Sequence, residues 1–89
     1  MVNTVEKITQ LARSIHSRGN NIDYLILEHV EEWLSHNEIG LAVDEIVDSV
    51  VESDIPITPQ ELKNIVKIYE ILKYEMRASE EYLSKLIID

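Results

Sequence analysis

The sequence contains no cysteine and no phenylalanine, and it has only two glycines and two prolines among 89 residues. Without cysteine, disulfides, thiolate metal sites and a cysteine nucleophile are excluded. No apolar run approaches the ~18 residues that a membrane-spanning helix needs. The first residues carry neither the basic start nor the long apolar stretch of a signal peptide. We therefore expect a cytoplasmic protein without a membrane anchor.

Lysine and arginine are absent from a long central stretch. No basic residue lies between Arg18 and Lys63, although this stretch contains eleven acids. The rest of the chain has six acids and eight bases, so the net charge of −9 divides into −11 in the middle and +2 at the ends. Such a chain is repelled by DNA, RNA and anionic membranes. A basic partner protein is favoured, because opposite fields steer encounter.

Apolar residues recur at helical spacing through nearly the whole chain. At this length the sequence predicts one domain, residues 1–89, with an all-α fold: a compact bundle of four to five helices. The first helix is predicted to begin at Asn3, the second to run from about Ile22 to Ser35, and the third from about Glu38 to Glu52.

The clearest local signal is Thr58-Pro59-Gln60-Glu61, which is typical of a capping box that begins a fourth helix. Ser79 is a candidate cap for a short fifth helix, with a kinked continuation of the fourth helix as the alternative. Residues 46–51 are rich in valine and isoleucine, which is compatible with a strand. Their i, i+3, i+4 spacing favours a helix.

Catalytic motifs are lacking. His36 and Glu38 form half of the zinc-deaminase signature, but the other half requires two cysteines. The sequence contains no H-E-x-x-H, no glycine-rich phosphate loop and no G-x-S-x-G. His36 suits a helix C-terminus, and His29 is interpreted as a boundary residue. We expect no catalytic residue, no cofactor, no metal site and no enzymatic activity.

Several central acids break the local rules of helices. Glu31, Glu32, Asp48 and Glu52 lie in the C-terminal halves of their helices, where the dipole opposes negative charge. Asp44 with Asp48, and Asp48 with Glu52, are like-charge pairs four residues apart, each costing ~0.2–0.5 kcal/mol. Uncompensated violations of this kind are expected at functional sites. We therefore predict one partner-binding acidic surface on neighbouring helices, whose neutralisation leaves stability unchanged or raises it. Its residues are Glu31, Glu32, Asp44, Asp48, Glu52 and Asp54.

Residues 30–46 read VEEWLSHNEIGLAVDEI. This stretch resembles the MafI-type immunity proteins of bacterial polymorphic toxin and contact-dependent growth inhibition systems. Their pattern has an aromatic helix end, a His-x-Glu turn and then Gly-Leu-Ala-hydrophobic-acid. A later Ile-Pro-hydrophobic-Ser/Thr helix start is matched by residues 55–58, and the resemblance covers roughly residues 22–75. Asn37 stands where the family pattern has glycine.

The resemblance implies a function without catalysis. Proteins of this family neutralise the C-terminal domain of a cognate toxin, commonly a basic nuclease. The acidic residues would contact its lysines and arginines, while Trp33, Gly40, Leu41 and Ala42 would hold the helix–turn–helix together. The alternative is an acidic helical adaptor or DNA mimic that binds a basic regulatory protein, which charge alone does not separate from immunity. A small helical enzyme or metal protein is least favoured. The chain is expected to be a monomer or a weak homodimer.

Overall fold

A computed structural model describes residues 3–18 and 24–88 of the chain, and for residues 24 and 25 it describes the backbone alone. Within these residues five helices follow one another, so the prediction of an all-α bundle is confirmed. They are α1 (Thr4–His16), α2 (Tyr24–Ser35), α3 (Ile39–Ser53), α4 (Pro59–Leu72) and α5 (Glu80–Ser84). The predicted start of the second helix, at about Ile22, lies outside the described residues. None of the described helices is long and apolar enough to cross a membrane.

Three helices begin at the polar residues that the sequence predicts. The Asn3 side chain accepts a hydrogen bond from the Glu6 amide at 2.8 Å. Thr58 and Glu61 form the complete reciprocal capping box. Ser79 caps α5, and α4 ends at Leu72, so the short fifth helix is separate. Residues 73–79 therefore form a connector between α4 and α5.

The core lies around α3, which packs against α1, α2 and α4. Val43, Ile46, Val47 and Val50 are fully buried on one side of this helix. The strand considered for this segment is absent, because the 3.6-residue period lets one helical face bury all four side chains. The radius of gyration is 11.8 Å, close to the roughly 12 Å expected for a compact chain of this length.

Hydrogen bonds connect segments near both ends of the chain to the rest of the bundle. Arg18 and Ser14 of the α1 end donate hydrogen bonds to Glu61 at the start of α4. Burial alone would raise the pKa of Glu61, but these bonds and the one from the Thr58 amide hold it below its ordinary value. Near the other end of the chain, the Ile57 amide donates a hydrogen bond to the Leu86 carbonyl oxygen at 3.1 Å. Ile57 and Ile87 form an isolated parallel bridge.

His16 is a buried polar contact between α1 and α3. Its Nδ1 lies 2.8 Å from the Ala12 carbonyl oxygen, and its Nε2 lies 2.7 Å from the Ser49 hydroxyl. The Ser49 hydroxyl also donates to the Ile46 carbonyl oxygen at 2.8 Å. The buried imidazole is therefore satisfied on both nitrogens and has a structural role.

Candidate functional site

The outward side of α3 carries a stripe of acids. Residues 42, 43, 46, 47, 49 and 50 are buried on the inner side. Since successive helical residues are about 100° apart, the positions facing away from the core lie three and four residues from one another. These outward residues are Leu41, Asp44, Glu45, Asp48 and Glu52. Leu41 is 42% exposed, so an apolar side chain begins a row of four carboxylates.

Two clefts meet on this side of the molecule, and Trp33 and Glu45 line both of them. The larger, which we name the Trp33 cleft, has a volume of about 550 Å³ and lies between the C-terminal half of α2 and the start of α3. It is lined by His29, Glu32, Trp33, His36, Glu38 and Glu45. The smaller, the Arg77 cleft, has a volume of about 110 Å³ and is lined by Trp33, Leu41, Asp44, Glu45, Asp48 and Arg77.

Trp33 is half-buried and packs against the core, as the sequence predicts for an anchoring residue. Its indole N–H also donates a long hydrogen bond of 3.4 Å to Glu45 Oε1. His29 Nδ1 lies 3.7 Å from the same oxygen. Trp33 thus links the apolar core to the acidic surface, and it holds one carboxylate of α3 in place.

Arg77 brings a positive charge to Asp48, although the sequence around Asp48 contains no lysine or arginine. Its Nε–H donates to Asp48 Oδ1 at 2.9 Å, from the connector 29 residues further along the chain. This hydrogen bond and the nearby charges of Asp48 and Asp44 raise the pKa of Arg77. Both side chains of the pair are well exposed, at 58% for Arg77 and 41% for Asp48. The repulsion predicted between Asp44 and Asp48 is therefore partly offset through space.

Asp44 has a structural partner as well. The hydroxyl of Tyr69 donates to Asp44 Oδ1 at 2.6 Å, and the Tyr69 side chain is buried in the core. Burial first, and then this hydrogen bond to a carboxylate, raise the pKa of Tyr69. Asp44 consequently joins α3 to α4, and neutralising it would weaken the acceptor of the Tyr69 hydroxyl.

The six predicted site residues do not form one surface. Asp44, Asp48 and Glu52 share the outward stripe of α3, and Glu32 lines the adjoining Trp33 cleft. Glu31 lines a different crevice, between α1 and α2, beside Thr9 and Arg13. Asp54 is the exposed left-handed C-cap of α3, with φ of 48°, so it lies beyond the helical stripe that ends with Glu52. Thus four of the six lie together.

Two acids that the prediction left out belong with these four. Glu38 lines the Trp33 cleft, and Glu45 lines both clefts. Glu45 was detectable, because it stands four residues after Leu41 and three before Asp48 in the same helical stripe. We call the combined set the acidic face; it consists of Glu32, Glu38, Asp44, Glu45, Asp48 and Glu52.

The turn between α2 and α3 sets the geometry of the acidic face. Asn37 adopts a left-handed conformation with φ of 60°, which asparagine and glycine tolerate best. His36 Nδ1 lies 2.9 Å from the Glu32 carbonyl oxygen, so its imidazole satisfies the end of α2 as predicted.

Gly40 is buried, and a Cβ there would clash with the Tyr74 ring. Leu41, predicted to hold the hairpin together, instead lies on the outward side.

Within residues 3–18 and 24–88, no group of three or more histidine, aspartate or glutamate side chains has an arrangement that could hold a metal ion. Comparison with protein-family models, with curated proteins and with solved structures finds no match for the chain.

Proposed function

We propose that this protein is an immunity protein that binds and neutralises the C-terminal domain of a cognate polymorphic toxin. The toxin domain is a basic nuclease, and neutralisation takes place in the cytoplasm by binding alone, without catalysis or a cofactor. The observation that carries the proposal is the acidic face. Five of its six carboxylates line the two clefts, Glu52 lies one turn further along α3, and a single arginine, Arg77, contacts them among the described residues.

The charge of the acidic face suits inhibition of a nuclease. Such an enzyme needs lysine and arginine side chains to hold the phosphates of its substrate. A protein that presents carboxylates to those side chains excludes nucleic acid by charge and by bulk. Complementary charge also accelerates encounter, which suits a protein that must reach the toxin before its substrate does.

The acidic face has the rigidity that tight binding needs. Five of its residues lie on the packed helices α2 and α3, and Glu38 is the N-cap of α3. The bonds from Tyr69 to Asp44 and from Arg77 to Asp48 restrict two of the carboxylates before any partner arrives. Side chains that are already ordered lose less entropy on association. Leu41 and Trp33 add an apolar centre, and a polar rim around such a centre is typical of protein interfaces.

The residues that resemble the MafI-type family build this same region. Residues 30–46 comprise the second half of α2, the turn and the first half of α3. They include Trp33, Leu41 and four of the six acids of the acidic face. The resemblance and the charge therefore support the same proposal from the same segment of the chain.

Growth of cells that express the toxin domain tests this proposal. The chain is co-expressed with the C-terminal domain of a large secreted toxin encoded beside it, and we expect growth to be rescued. The variant E32Q/D48N/E52Q removes three charges from the acidic face and should lose rescue. The control E6Q/E70Q/E80Q removes three exposed charges elsewhere and should retain it. Asp44 is left unchanged, because it holds Tyr69.

Both variants need a check of folding, by the cooperativity of thermal unfolding. Absence of rescue by the folded wild-type chain, with an active toxin domain, rejects immunity against that toxin. Such a result favours a basic regulatory protein as the partner of the acidic face.

A further inference from the structure

The Trp33 cleft is an acidic recess with an aromatic wall. Glu32, Glu38 and Glu45 line it together with the indole of Trp33, and none of its lining residues is a lysine or an arginine. Its volume of about 550 Å³ lies within the range of roughly 300–1,000 Å³ that is usual for ligand sites. The recess is therefore large enough for a side chain of a partner protein.

Glu45 is the carboxylate best placed to bind a cation in this recess. Its side chain is only 30% exposed, and the neighbouring groups are the Trp33 N–H and the His29 ring. Neither of these groups is a permanent cation. A partly buried carboxylate has lost part of its hydration, so it interacts more strongly with a cation than an exposed carboxylate does.

The combination of an indole with carboxylates selects guanidinium over ammonium. A guanidinium group is planar, stacks on aromatic rings and donates paired hydrogen bonds to a carboxylate. An ammonium group is a compact point charge that holds its water more strongly. A recess with both elements accordingly discriminates in favour of arginine.

The adjacent Arg77 cleft already contains a guanidinium group. Arg77 donates to Asp48 in this cleft, and Trp33 and Glu45 line both this cleft and the Trp33 cleft. One half of this surface thus binds an arginine of the chain itself. The other half shares Trp33 and Glu45 with it, has Glu32 and Glu38 as its further acids, and its lining includes no arginine.

We propose that the Trp33 cleft is an arginine-binding site that receives one guanidinium group from the basic partner. The identity of that partner rests on the proposed function, whereas the affinity of the cleft for a guanidinium group does not. The two can therefore fail separately: growth rescue tests the partner, and a peptide titration tests the cleft.

Trp33 is the only tryptophan of the chain, so its fluorescence reports on the cleft directly. The full chain is titrated at constant ionic strength with the capped peptides Ala-Arg-Ala, Ala-Lys-Ala and Ala-citrulline-Ala. Citrulline keeps the shape of arginine and removes its charge. We expect a saturable change of emission with the arginine peptide, weaker binding of the lysine peptide and no binding of the citrulline peptide.

Matched variants locate the site. Hydrogen bonds to a charged group stabilise by ~1.5–3 kcal/mol, so E45Q should weaken binding of the arginine peptide by about tenfold or more. E31Q removes the same charge from the other side of α2 and should leave binding unchanged. The chemical shift of the Trp33 indole N–H, read by NMR, provides a second measure in each variant and reports whether the cleft is intact.

Three results would overturn the proposal. The first is the lack of a saturable response of the folded wild-type chain to the arginine peptide. The second is equal binding of the citrulline peptide, which would show that charge is not recognised. The third is equal weakening by E31Q and E45Q, which would show that only net charge matters.

Discussion

Replacing Asp44 with alanine should destabilise the protein, although it removes one member of a like-charge pair. The hydroxyl of Tyr69, a side chain only 2% exposed, loses its acceptor at 2.6 Å. Leaving a buried hydroxyl without its partner costs about 1–3 kcal/mol. Relief of the repulsion between Asp44 and Asp48 returns only ~0.2–0.5 kcal/mol. The net loss should be about 0.5–2.8 kcal/mol. Each 1 kcal/mol lowers Tm by roughly 4–8 °C in a domain of this size.

Chemical unfolding followed by Trp33 fluorescence measures this loss of stability. A double-mutant cycle shows how much of it comes from the hydrogen bond between Tyr69 and Asp44. In the Y69F background the hydroxyl is absent, so D44A should cost about 1 kcal/mol less than in the wild-type chain. E52A is the matched control, because it removes a charge from the same stripe of α3 and should change stability by less than about 0.5 kcal/mol. Equal effects of D44A and E52A, or a coupling energy of zero with Y69F, would refute the structural role of Asp44.

Two further predictions concern the turn and the acid stability of the fold. Asn37 has φ of 60°, so Asn37→Val should destabilise the fold by about 1–2 kcal/mol. Asn37→Gly should stay within about 0.5 kcal/mol of the wild type. Thermal unfolding of the two variants measures the difference, and equal stability of both would contradict the prediction. The folded pKa of Glu61 is below its ordinary value of 4.5, so its contribution to stability is present above pH 4.5 and is lost as the pH falls through the lower, folded value. Glu61→Gln should therefore flatten the decline of unfolding free energy below pH 4.5; an unchanged decline would show that other carboxyls cause it.

The helices were predictable because their signals are local. The capping box at Thr58 and the apolar spacing of residues 43–50 each lie within a few turns of chain, and both are present in the structure. The connector after Leu72 was one of two possibilities, because the sequence also allowed the fourth helix to continue with a kink. Its left-handed residue is Lys73, a residue type that carries no turn signal.

The pairing of the acids could not be predicted in the same way. Asp44 meets Tyr69 and Asp48 meets Arg77 across 25 and 29 residues, so no local rule identifies these partners. The placement of Glu31 and Glu32 on different sides of α2 was predictable, because adjacent helical residues project about 100° apart. Periodicity alone could have assigned them to different sides, and it could have added Glu45 to the stripe of α3.

The most direct test of the central claim is the affinity of the purified chain for the C-terminal domain of the toxin encoded beside it, measured by calorimetry. E32Q/D48N/E52Q and E6Q/E70Q/E80Q each remove three negative charges, which changes the net charge from −9 to −6. If the acidic face binds the toxin at about 1 kcal/mol per carboxylate, the first variant should weaken binding by about 100-fold, and the second by no more than about threefold. Equal weakening by both variants, or no binding by the wild-type chain, would contradict the account.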